Sequence, residues 1–167
     1  MSDYILPAAI DWANWAALFT DVDRWRPVVD RVWAADDALA AASGIAKPHR
    51  VAAVSPGTCA VFLVDEAIII KFFPPMVAND LAREVAAYLT LGDQVPHLPS
   101  LLSHGRYQDR IEWPYLAVSC LPGQAWREVG ARLLAMQAEG LVAELGRMTR
   151  LTHEIPLPPN GSWPAAG

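Results

Sequence analysis

Cysteine is scarce in this chain: among 167 residues there are two, Cys59 and Cys120. Two thiols cannot build a disulfide framework, and without CxxC spacing they do not form a zinc site. A reducing, cytoplasmic setting is therefore expected. His49, His97 and His153 are scattered with no metal-ligand spacing. Basic clusters are missing as well. Thirteen Lys and Arg stand against 18 Asp and Glu, for a net charge of −5. A nucleic-acid groove needs grouped cations to neutralise phosphates, so that class of partner is not expected. No run approaches the roughly 18 apolar residues that span a bilayer. The opening MSDYILPAAIDW carries an early acid and no basic-then-apolar signal pattern, so no membrane partner is expected either.

Apolar residues, by contrast, make up 53% of the chain, enough for one ordinary domain or two small lobes with a filled core. Of seven tryptophans, Trp12, Trp15, Trp25 and Trp33 fall in the first fifth. Trp12, Trp15, Leu18, Phe19, Val22 and Trp25 recur at helical spacing from about Asp11. A second helix comes after Pro27, with Val28, Val29, Val32, Trp33 and Leu39 on its apolar side, and ends at Ser43-Gly44. These helices either buttress a sheet formed by the rest of the chain or mediate dimerisation.

The period then changes from 3.6 to 2. RVAAVS (50–55), CAVFLV (59–64) and AIIIKF (67–72) read as a three-strand meander joined by Pro56-Gly57 and Asp65-Glu66. Phe73-Pro74-Pro75 stops it. NDLAREVAAYLTLG (79–92) reads as a helix, with Asn79 or Asp80 near its cap and Gly92 at its end. LLSHGRY (101–107) and the almost wholly apolar PYLAVSCL (114–121) read as strands, the latter central. His104-Gly105-Arg106 is part of that ordinary strand and turn. After Pro122-Gly123 come two helices, one with Trp126, Val129, Leu133 and Met136, the other with Leu141, Leu145, Met148, Thr152 and Ile155. PLPPNGSWPAAG reads as a loop.

Lys71 poses the chemical question, because it closes a run of three isoleucines. An unpaired ammonium in an apolar setting costs several kcal/mol or loses its proton. On the helix 79–92 the apolar side is Leu81, Val85, Tyr88 and Leu89. Glu84 projects onto the flank of that side, while Arg83 points nearly opposite. An ion pair between Lys71 and Glu84 satisfies both groups. A lysine so held can present its protons to nucleotide phosphates. The turn Ser55-Pro56-Gly57-Thr58 supplies a glycine that lets backbone approach phosphates closely. SCLPG (119–123) could offer backbone N–H and C=O groups to a flat base.

This order of elements resembles the N-lobe of the protein-kinase-like fold. PGTCAVFLV, IIIKF, LAREVAAYLTL, the VPHLPSLLSHG linker and strand, WPYLAVSCLPG and ELGRMTRLTH together resemble the aminoglycoside phosphotransferase and choline-kinase-like family of small-molecule kinases, over about Val51 to His153. The resemblance implies an α+β fold, with an antiparallel five-stranded sheet and one packing helix. It divides the chain into an N-terminal helical extension (1–48), a nucleotide-binding lobe (49–122) and the first helices of an incomplete C-lobe (123–167). It further implies ATP as ligand. Lys71 would lie on the α- and β-phosphates with Glu84 as its partner, Ser55, Gly57 and Thr58 would cover the phosphates, and Ser119, Cys120 and Leu121 would form the hinge beside adenine.

Phosphoryl transfer in this fold also needs a catalytic aspartate, a metal-binding asparagine and a second metal-binding aspartate. The family carries these beyond the helix that ends near His153, in a stretch resembling HGD followed by N, and this sequence has no match to it. No catalytic or metal-binding residue is therefore assigned, and Mg²⁺ is expected only in a complete protein. One reading is the ATP-binding portion of a phosphotransferase for a small-molecule hydroxyl, inactive alone. Another is a non-catalytic nucleotide- or protein-binding module. In a third, the likeness is architectural and Lys71–Glu84 is a structural ion pair. The apolar sides of the last two helices would self-associate if left uncovered.

Overall fold

The computed structural model describes residues 25, 36–45, 48–54, 57–92, 94–108, 111–124, 126–133 and 135–156. Most of the helix expected from Asp11, most of the one expected after Pro27, residue Ser55 and the loop after residue 156 lie outside the described residues. Trp25 is helical, and α1 spans Asp36–Ser43. It ends where expected: Gly44 takes φ 72°, a left-handed conformation that glycine adopts without strain.

Five strands come next: β1 (Val51–Val54), β2 (Ala60–Val64), β3 (Ile68–Phe72), β4 (Leu101–Gln108) and β5 (Glu112–Ser119). They form one antiparallel sheet in the order β1-β2-β3-β5-β4. The five-stranded antiparallel sheet and α+β class expected from the sequence are what the chain adopts. The apolar β5 lies inside the sheet between β3 and β4, as its composition requires. His104 sits within β4, as expected.

The β2–β3 turn places Asp65 (φ 49°) and Glu66 (φ 58°) in the left-handed region. The Ala67 N–H donates to the Val64 carbonyl at 3.0 Å, and a mirror-image turn of this kind requires the left-handed conformation at both central residues. The Asp65 carboxylate also accepts the N–H groups of His49 (2.9 Å) and Arg50 (2.7 Å), which ties the turn to the chain entering β1.

Strand alternation divides the sheet into two faces. Ala60, Phe62, Val64, Ile70, Phe72, Trp113 and Ala117 face a core completed by Trp25, Leu39 and Ala42. The described part of the N-terminal region thus buttresses the sheet from behind. Trp25 and Trp113 are fully buried with ring centroids 6.1 Å apart, a pair worth about 0.5–1.5 kcal/mol beyond its area. On the other face, Phe73, Leu116 and Val118 pack against Val85 of α2 (Asp80–Leu91), with Leu81 and Tyr88 beside them.

One detail of α2 differs from expectation, while Asn79 at its N-cap and Gly92 at its C-cap stand where expected. Leu89 is 68% exposed, and the buried residues are Val85 and Ala86. The small Ala86 lets the helix lie close to its neighbours, which turns the buried side away from Leu89. Asn79 forms no side-chain cap. A 3₁₀ turn, Pro75–Val77, leads in, and the Leu81 N–H donates to the Ala78 carbonyl at 3.3 Å.

Beyond β5 the chain forms α3 (Trp126–Val129), a 3₁₀ turn (Gly130–Arg132) and α4 (Ala135–Glu154). The first of the two expected helices therefore stops early, and Met136 belongs to the second. Gly130 is a poor helix former, and Leu133 turns extended (ψ 137°). Neither core includes a residue of α3 or α4 among those described. No helix among the described residues is long and apolar enough to cross a membrane.

Candidate functional site

Lys71 is the fourth residue of β3, opposite Val61 on β2 and Leu116 on β5. Period-2 alternation sends Ile70 and Phe72 into the rear core, so Lys71 must emerge on the α2 side. There the Lys71 Nζ donates to Oε1 of Glu84, in the second turn of α2. Both side chains are half-buried, at 28% and 35% exposure. The ammonium lies 4.7 Å from the centroid of the Phe73 ring, whose face adds a cation–π contact. The carboxylate fixes the direction of the lysine, and the aromatic face lines its path.

Lys71 borders a cavity of about 420 Å³ that is also lined by Gly57, Thr58, Cys59, Val61, Phe73, Val77 and Asp80. That volume is in the range of small-ligand clefts. Lys71, Gly57 and Thr58 of the predicted set meet on this cavity. Sequence reading missed Cys59, Val61, Phe73, Val77 and Asp80. Period-2 spacing from Lys71 could have found Phe73, and the hairpin register could have found Val61, directly opposite. A larger cavity of about 520 Å³ lies between Asn79 and Leu81 at the start of α2 and His104 and Arg106 of β4. It holds none of the predicted residues, and Arg106 is bonded to Glu112. The smaller cavity is the candidate because the fixed ammonium is there.

Burial pushes the Cys59 thiol up from 9.0 to about 11; Lys71 opposes the shift, and Glu84 and Asp80 add to it. At neutral pH Cys59 is thus a protonated, weakly polar wall rather than a nucleophile. Tyr88 is likewise raised, first by burial and then by the Glu84 charge.

Ser119, Cys120 and Leu121 of the predicted set lie apart from this cavity, at the end of β5. Ser119 pairs with Ile68 at the start of β3. The Ser119 N–H donates to the Ser100 carbonyl at 2.9 Å, and the Cys120 N–H to the Ala67 carbonyl at 2.7 Å. Those two donors are taken up inside the sheet. Leu121 is 45% exposed. The segment joins the lysine-bearing strand laterally, three residues of β3 away from Lys71.

A model of the family described as "Phosphotransferase enzyme family" matches residues 51–165, which takes in all five strands, α2 and the lysine–glutamate pair. The chain belongs to this phosphotransferase family. A solved structure described as the streptomycin–ATP–APH(2")-IIa ternary complex is similar at 11% identity, with a TM-score of 0.46, over 90% of this chain and 42% of that one. The chain thus spans less than half the length of that structure. No curated protein matches the sequence.

Proposed function

We propose that this chain holds ATP for a phosphotransferase whose acceptor is a hydroxyl of a small molecule. The observation that carries the reading is the Lys71–Glu84 bond on a cavity shared with Gly57 and Thr58. Lys71 contacts the α- and β-phosphates, Glu84 keeps it aimed, and Ser55, Gly57 and Thr58 cover the phosphates. Phosphate has the charge and the acceptor oxygens that an oriented ammonium satisfies. Ser119, Cys120 and Leu121 face the adenine, with the Leu121 N–H and the segment's carbonyls as its polar groups. Membership of the phosphotransferase family supports this assignment.

The sequence has no match to the catalytic aspartate and metal-binding residues of the chemistry. The proposal therefore gives nucleotide binding to these residues, and transfer, with its Mg²⁺, to a protein that also carries such groups. The test is calorimetric titration of the chain with a non-hydrolysable ATP analogue, compared with Lys71→Ala. Weak binding by the wild type is expected, reduced about tenfold or more in the variant, as the loss of a charge-assisted hydrogen bond implies. Equal and negligible binding by both would remove the nucleotide site.

A further inference from the structure

One contact ties the N-terminal region to the site from behind. Trp25 is fully buried against the rear face of the sheet. Its indole N–H donates to the Thr58 carbonyl oxygen at 2.5 Å, across 33 residues of sequence. Thr58 belongs to the turn that lines the Lys71 cavity on the opposite face. The peptide from Thr58 to Cys59 is planar and trans, so its N–H points opposite to its C=O. With the carbonyl drawn toward Trp25, the Cys59 N–H is directed away from the indole, and Cys59 itself lines the Lys71 cavity.

We infer that Trp25 is a positioning residue: it fixes the Thr58–Cys59 peptide so that a backbone N–H is held toward the phosphates of the nucleotide. The inference rests on the ATP reading above. Anchoring matters here because Gly57, next in the turn, is exposed, and among the described residues a Cβ there would meet only the Cys59 carbonyl oxygen, at 3.9 Å. Front-face packing at Gly57 does not immobilise the turn, whereas the buried indole does so from the rear. The N-terminal region thereby acts on phosphate recognition without touching the ligand.

The experiment measures binding of a non-hydrolysable ATP analogue and of adenosine to the full 167-residue chain, wild type and Trp25→Phe. Phenylalanine keeps an aromatic ring and removes the N–H. Affinity for the ATP analogue should fall roughly three- to tenfold while that for adenosine stays unchanged. Unchanged ATP affinity, or a parallel fall for both ligands, would overturn the inference. Because Phe is smaller than Trp, a second variant carries the benzothiophene analogue of tryptophan at position 25, which keeps the bicyclic shape and lacks the N–H. It decides the matter if Trp25→Phe lowers the melting temperature. A wild-type chain that binds the ATP analogue no better than adenosine would overturn the proposed function and this inference together. A wild type with that preference, retained in both variants, would overturn the inference alone.

Discussion

Phe73 lies two residues past Lys71 on the same side of the sheet, with its ring centroid 4.7 Å from the lysine nitrogen. It continues the β3 line after the strand has ended, and it is fully buried. The lysine head thus sits over an aromatic face where it reaches Glu84. Three isoleucines can therefore lead into a charge: the strand alternates, and the charge is met by a carboxylate.

The pair should be worth little to stability and much to binding. Both partners are about one-third exposed, so solvent screens their attraction, and a coupling of about 0.5–1 kcal/mol is expected. A double-mutant cycle with Lys71→Met and Glu84→Gln, read by urea unfolding, measures it. Coupling above about 3 kcal/mol would mark a structural ion pair instead.

Gly57 and Gly105 should respond oppositely to alanine. At Gly105 a Cβ would sit 2.9 Å from the Tyr115 hydroxyl oxygen and 3.1 Å from its ring. Tyr115 pairs with Gly105 across the sheet and packs near Phe72. Gly105→Ala should cost about 1–3 kcal/mol by overpacking. Gly57→Ala, whose Cβ would make only an ordinary contact with the Cys59 carbonyl oxygen among the described residues, should leave the melting temperature unchanged and weaken binding of the ATP analogue. Thermal unfolding and titration of both variants separate the two roles.

Alkaline pH should weaken the fold through Cys59. Its folded value, about 11, lies above the ordinary 9.0. Below pH 9 both folded and unfolded chains hold the proton, and the contribution is fully present. As pH rises toward 11 the unfolded chain loses its proton first, and stability falls. Tyr88, raised from 10.0, acts with the same sign. Urea unfolding at about pH 8.5 and about pH 11 should show a drop that Cys59→Ala makes shallower. A slope identical in Cys59→Ala and wild type would contradict the burial of the thiol.

The far helix should bind a hydrophobic dye. Met136 (81% exposed), Val142 (65%), Leu145 (65%) and Leu141 (49%) expose large apolar side chains along α4. Leu145→Glu should reduce anilinonaphthalene sulfonate fluorescence and reduce any self-association seen in light scattering. Stability should change by no more than about 0.5 kcal/mol, as for other exposed positions. A large loss of stability would show that Leu145 is packed.

Sequence alone determined the strands, the helix at 80–91 and the sides on which Lys71 and Glu84 stand, because each depends on a local period. A period of 2 puts Lys71 opposite Ile70, and a period of 3.6 puts Glu84 on the flank beside Tyr88. The sequence could also mark β5 as central from its apolar composition. Only the tertiary structure decided that β5 slots between β3 and β4, bringing Ser119 beside Ile68. It likewise turned α2 so that Leu89 meets solvent and carried Trp25 to Thr58. These outcomes depend on which strand edges hydrogen-bond and which faces pack. Such contacts join residues tens of positions apart, and no window along the chain contains both partners.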